Sequence, residues 1–181
     1  NKVDLGIGVY KDEKGNTPVM RAVKEAEKLI LSSQVTKAYV GPAGALAYNE
    51  AVAELILGAT LKAGLAGRRI TMQTPGGCGG LRIAAEFIAR ASSGSTIWVS
   101  DPTWANHKPL IGSSGLKFKS YPYYNYEKHS VDFDNMIAAL ANVPKGDVVL
   151  LHGCCHNPSG ADLAPNQWRA IRDLAQEKNF T

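Results

Sequence analysis

From Arg69 onward, short apolar runs alternate with segments of helical period, and this alternation restricts the fold more than any other property of the chain. Arg69–Thr74, Thr96–Ser100, Leu116–Tyr121 and Asp147–Leu151 read as strands. Between and after them, Leu81–Ala91, Phe133–Leu140 and Pro165–Lys178 carry apolar residues at helical spacing; Leu81, Ala84, Ala85 and Ile88, for example, share one face. Strands separated by helices demand crossover connections, which favour parallel pairing with helices covering both faces. Val148–Leu151 is apolar at every position, as expected of a central strand buried on both sides. The predicted class is therefore α/β, a mostly parallel sheet in three α/β/α layers. Upstream, Thr17-Pro18 predicts a helix start, with Val19, Val23, Ala26 and Ile30 following at helical spacing, and a second helix is predicted from Ala45 to about Lys62. The sequence begins with Asn1 rather than methionine and stops after a helix, where the rhythm calls for another strand; both lead us to expect a partial chain.

Composition narrows the functional classes. Hydrophobic residues make up 45% of the 181 positions and charged residues 20%, the balance of an ordinary globular protein. The net charge of +4 is spread among interleaved acidic residues, with no basic cluster longer than Arg68-Arg69, which argues against nucleic acid as a partner. No run approaches the ~20 apolar residues that span a bilayer, and the first residues lack a signal-peptide layout, so no membrane partner is expected. Cys78, Cys154 and Cys155 are too few and too unevenly spaced for a disulfide framework, and a reducing, cytoplasmic setting is the simpler reading.

Three loops at predicted strand ends carry chemistry. Thr74-Pro75-Gly76-Gly77-Cys78-Gly79-Gly80 lies between a strand and a helix. Glycines there permit close backbone approach to an anion, and a helix start offers free N–H groups, so the turn suits phosphate; plain tight packing would use the same residues. Asp101-Pro102-Thr103-Trp104-Ala105-Asn106-His107 places an aromatic ring and an imidazole at a carboxyl strand end, where open α/β sheets bind ligands. Trp104 either stacks on a planar heterocycle or fills the core. His152-Gly153-Cys154-Cys155-His156-Asn157-Pro158-Ser159-Gly160 invites a metal reading, but adjacent cysteines point apart and no outside pair completes a tetrahedral set, so no metal is expected. An Asn before Pro is better suited to a turn that aims an amide at a ligand. An anion cradle, an aromatic plate and an amide donor at successive strand ends together suit a phosphorylated aromatic cofactor.

These three motifs, with Val3-Asp4-Leu5-Gly6-Ile7-Gly8-Val9-Tyr10-Lys11-Asp12, resemble the class I aminotransferases, most closely the bacterial aspartate and aromatic amino-acid group, in order and over essentially the whole chain. The resemblance implies pyridoxal 5'-phosphate as cofactor and transfer of an amino group from aspartate or an aromatic amino acid to 2-oxoglutarate. It implies that Gly76, Gly77 and Cys78 hold the cofactor phosphate, that Trp104 stacks on the pyridine ring and reaches the substrate carboxylate, and that Asn157 donates to the 3′-oxygen and the same carboxylate. His107 matches a histidine that orients the aspartate paired with the pyridine nitrogen. Tyr39 matches a tyrosine that crosses to the neighbouring subunit's phosphate, which implies a homodimer, and Ile7 and Gly8 match a segment that closes over substrate. On this basis residues 1–16 form an N-terminal segment belonging to the small domain or substrate-closing arm, and residues 17–181 a partial cofactor-binding large domain. Asp101-Pro102 and Asn157-Pro158 are expected to be cis.

Two departures stand out. Cys78 replaces a threonine or serine, and a thiol is the weaker donor to phosphate, so the backbone N–H groups carry more of that contact. Ala105 replaces a proline common in close relatives. The family's Schiff-base lysine and carboxylate-binding arginines match no position here, so no catalytic residue is assigned within the chain. The alternatives are a catalytically inactive fragment of such an enzyme and a β-lyase of the same fold.

Overall fold

The computed structural model describes Gly6 and residues 8–181, which form two compact units, Asn1–Pro42 and Ala43–Thr181. In the first, an Asp12 carboxylate oxygen accepts the backbone N–H groups of Lys14 (3.0 Å) and Asn16 (2.8 Å), closing a turn. Helix α1 (Arg21–Ser33) follows and buries none of its residues. It starts later than Thr17-Pro18 predicts: Met20, with ψ 143°, is the flanking residue, and its carbonyl accepts the first N–H groups, from Val23 and Lys24. Pro18 fixes only its own φ, and the β-branched Val19 that follows favours the extended backbone.

The second unit opens with α2 (Leu46–Gly64), broken at Gly58, whose φ of 71° no helix accommodates. Glu50 on α2 holds Arg69 at 2.9 Å and Lys62 at 3.1 Å, and the Asn49 amide donates to the Ala43 carbonyl. Residues 69–74, predicted as a strand, are not one. Gln73 N–H reaches the Ala43 carbonyl at 2.9 Å, but no ladder of neighbouring backbone bonds forms, and Ile70 and Met72 are exposed. An apolar run becomes a strand only where a second backbone satisfies its amides.

Three parallel strands form the sheet: β1 (Thr96–Asp101) in the centre, β2 (Lys117–Pro122) on one side and β5 (Val148–Val149) on the other. Ile97 pairs with Phe118 and with Val148, and Leu150 N–H continues the β1–β5 contact to the Trp98 carbonyl at 2.8 Å. Thr181 lies along the outer edge of β5, donating to Asp147 and accepting from Val149. Helix α3 (Gly76–Ala91) starts within the glycine-rich turn, five residues before the predicted Leu81. A short α4 (His107–Gly112) links β1 to β2, and a hairpin of β3 (Tyr124–Asn125) and β4 (Ser130–Val131), absent from the sequence expectation, precedes α5 (Phe133–Leu140). The last helix, α6 (Pro165–Lys178), has proline in its first turn and Gln167 reaching back to the Ala164 N–H, and it ends at left-handed Asn179.

The pleat of β1 sorts its side chains. Ile97 and Val99 face Ala85 of α3 and Ile111 of α4, while Trp98 joins Tyr121, Met136 and Leu140 of α5 and Ile171 of α6. Helices thus cover both faces, giving the three layers predicted. Met136 and Leu140 are fully buried, each contributing about 1.5–3 kcal/mol of apolar transfer. Buried Asp147 joins the layers: one carboxylate oxygen accepts Thr96 N–H (2.9 Å), the other Trp98 Nε1–H (2.8 Å).

Candidate active site

Side chains from the carboxyl ends of β1, β2 and β5 converge on a column of rings. After β1 the chain turns through a cis Asp101-Pro102 bond to Trp104 and His107; after β5 it runs through His152 to a cis Asn157-Pro158 bond. Both cis bonds match the expectation. Trp104 and His107 meet edge to face at 5.4 Å, and His107 meets His152 in the same way at 5.1 Å. His152 stacks on His156 at 4.2 Å, and His156 on Tyr123 at 3.8 Å. Trp104 is half-buried, so it does not vanish into the core; one end of the column remains open to a ligand.

Hydrogen bonds hold each ring. Thr103 Oγ1 lies 2.8 Å from His107 Nδ1, Ser100 Oγ 2.9 Å from His156 Nε2, and Ser159 Oγ 2.7 Å from His156 Nδ1. His152 Nδ1 accepts the backbone N–H of Asn157 at 3.1 Å, which leaves the proton of the neutral ring on Nε2, a buried nitrogen with no partner among the described residues. Tyr123 donates its hydroxyl to the Ala161 carbonyl at 2.6 Å. The Asp162 carboxylate accepts the N–H groups of Cys155 and His156, both at 2.9 Å, and these bonds pull its pKa down.

Burial keeps the imidazoles neutral. It pushes His156 down to about 4, helped by the neighbouring His152 and opposed by Asp162. His107 is lowered first by burial and then by His152; His152 is lowered by burial against the pull of Asp162. Burial also raises the Tyr123 hydroxyl to about 12. Neutral rings in a fixed stack are suited to orienting groups rather than to carrying charge.

The remaining predicted residues fall into three places. Asn157 is exposed beside His152, to whose ring its backbone N–H donates, and its carboxamide makes no hydrogen bond among the described residues. Gly76, Gly77 and Cys78 form the exposed first turn of α3, which has neither a side-chain cap nor an acidic residue; the Gly76 N–H donates to the Thr74 carbonyl at 2.8 Å, and those of Gly77 and Cys78 are left without a side-chain cap. A Cβ at Gly76 or Gly77 would meet nothing within 4 Å, whereas one at Gly79 would lie 2.9 Å from the Pro75 ring. Tyr39 and Gly8 are exposed in the first unit, and Ile7 lies outside the described residues. A cavity of about 310 Å³ beside the Trp104 loop is lined by Ser100, Asp101, Trp104 and Lys108. Sequence reasoning missed the two supports of the column, Ser100 and Tyr123; His152 and His156 drew attention only as metal ligands.

The family model for aminotransferase class I and II matches residues 1–181. The chain belongs to this family. It is 46% identical over 179 residues to an aspartate aminotransferase of Escherichia coli K12, covering 99% of this chain and 45% of that protein. It is also 46% identical over 180 residues to an aromatic-amino-acid aminotransferase of Pseudomonas aeruginosa, again covering 99% and 45%. Among solved structures, an aromatic-amino-acid aminotransferase of Burkholderia pseudomallei covalently bound to pyridoxal phosphate superposes with a TM-score of 0.93 at 38% identity, over 99% of this chain and 45% of that one. The chain therefore spans a little under half the length of the relatives it matches, with their fold.

Proposed function

We propose that this chain supplies the cofactor cradle of a pyridoxal-phosphate aminotransferase that moves an amino group from aspartate or an aromatic amino acid to 2-oxoglutarate. One observation carries the reading: an open aromatic plate, Trp104, and an exposed amide, Asn157, unpartnered among the described residues, adjoin one column of fixed neutral rings in a chain of aminotransferase sequence and fold. The bare, acid-free first turn of α3 supports it, because backbone N–H groups there would hold a phosphate dianion with no Cβ in the way. So does the orphan Nε2–H of His152, a buried donor awaiting an acceptor.

Pyridoxal phosphate, when bound, supplies an electron sink for the amino acid. The chain's own residues then have separate tasks. Gly76, Gly77 and Cys78 anchor the phosphate; the weak Cys78 thiol leaves most of that to the backbone. Trp104 covers one ring face and excludes water from it. Asn157 donates to an anionic oxygen of the ring or to a substrate carboxylate. His107, held by Thr103, orients a partner of the ring nitrogen. In the assembled enzyme Ile7 and Gly8 close over substrate, with residues 1–16 as the closing segment, and Tyr39 reaches a second subunit's phosphate in a homodimer. The Schiff-base lysine has no counterpart among these roles, so we assign the 181-residue chain binding rather than turnover.

The test is equilibrium dialysis of pyridoxal phosphate against this chain and its Trp104→Ala variant. Loss of one aromatic stack, about 0.5–1.5 kcal/mol, predicts affinity weaker by about 2- to 13-fold. Equal affinity would remove Trp104 from the site, and no saturable binding by either protein would overturn the cradle itself.

A further inference from the structure

Cys154 and Cys155 have no part in the arrangement above, yet their placement is specific. Both are free and exposed at the tip of the loop after β5. The peptide between them is trans, and Cys155 adopts a left-handed φ of 52°. The loop beneath them is fixed: Asp162 accepts Cys155 N–H and His156 N–H at 2.9 Å each, and Gly160 N–H reaches the His156 carbonyl at 2.6 Å. Two neighbouring thiols are thus presented to solvent from a rigid base.

A direct bond between these sulfurs is disfavoured. A trans peptide holds consecutive Cα atoms ~3.8 Å apart, whereas disulfides span about 4.4–6.8 Å between Cα atoms and bring the sulfurs to ~2.05 Å. An inserted atom relieves this by letting the sulfurs stay farther apart. A divalent metal is a poor candidate for that atom. Zinc takes four ligands, and among the described residues no group of three or more His, Cys, Asp or Glu side chains is placed to hold a metal ion. A trivalent centre that brings its own organic substituent needs only two thiols.

We propose that Cys154 and Cys155 form a bidentate capture site for trivalent organoarsenicals. An arsenoxide condenses with both thiols: two S–H bonds break, two As–S bonds form, and the oxygen leaves as water carrying both protons. Arsenic stays trivalent and no electrons move. The neighbouring Cys154 raises the Cys155 thiol, by its charge and by accepting a hydrogen bond from it, which keeps the Cys155 proton in place for the condensation. Cys78, exposed on α3, is a single thiol and serves as the internal control. The proposal does not depend on cofactor binding.

The test adds one equivalent of phenylarsine oxide to the 181-residue chain, washes with excess 2-mercaptoethanol, and reads intact mass and remaining titratable thiols. The expected result is one retained adduct, a thiol count falling from three to one, and release by 2,3-dimercaptopropanol. Cys78→Ser should keep the adduct. Cys154→Ser and Cys155→Ser, with wild-type circular dichroism, should each hold it about 100-fold more weakly, because chelation is lost. An adduct stripped from the wild type by the monothiol, or retained by either loop variant, would overturn the proposal. The wild-type thiol count decides the matter even where a variant fails to fold.

Discussion

His156 makes the stability of this fold depend on pH in a calculable way. Its ring is 2% exposed, both nitrogens are hydrogen-bonded, and it lies between Tyr123 and His152. Burial depresses its folded pKa to about 4, against an unfolded value of about 6.5. Between those two values the unfolded chain binds the extra proton, so stability is complete above about pH 6.5 and is lost as pH falls towards 4. Linkage over the step from pH 7 to pH 5 gives a loss of about 2 kcal/mol from this one ring. His107 and His152 are lowered as well and act with the same sign; the lowered Asp162 titrates below this window. Urea unfolding followed by tryptophan fluorescence at the two pH values measures the loss in the wild type and in His156→Gln. The variant starts less stable, since it forfeits the stack, but its loss between pH 7 and pH 5 should be smaller by about 2 kcal/mol. Equal losses in the two proteins would refute a buried neutral His156.

Two further perturbations test the frame of the site. Asp147→Ala strips acceptors from Thr96 N–H and Trp98 Nε1–H, and two orphaned donors predict a destabilisation of about 2–5 kcal/mol, read as a lower urea midpoint, with Asp147→Asn restoring part of it. Gly77→Ala has open space and should leave the urea midpoint nearly unchanged while weakening pyridoxal phosphate binding, whereas Gly79→Ala drives a methyl into Pro75 and should destabilise the fold by about 1–3 kcal/mol; the reverse pattern would displace the phosphate from the first turn of α3.

The sequence was most legible where local chemistry and the fold agree. Pro165 opens α6 and alternation marks β2, because cap and pleat are local devices. Residues 69–74 have the composition of a strand and not its structure, since a strand is decided by a partner that composition does not display. The start of α3 was hidden by its glycines, poor helix formers that occupy the first turn here because the backbone itself is the surface presented. The placement of Trp104 and His107 after β1 and of Asn157 after β5 followed from strand-end position, whereas their roles were implied only by the resemblance. Ser100 and Tyr123 were not, because a serine in an apolar strand and a tyrosine beyond its neighbour gain meaning only once His156 lies between them.

The sorting of side chains by β1 also guards the chain against misassembly. Were β1 to slip by one residue, every side chain would change faces. The Trp98 indole would be driven towards Ala85 and Ile111, where there is room for a branched aliphatic residue, and its Nε1–H would lose Asp147. Ser100 would turn away from His156 in the same movement. Here the error opens a void in one layer, crowds the other and unseats the ring column, so the core that supports the site also proofreads it.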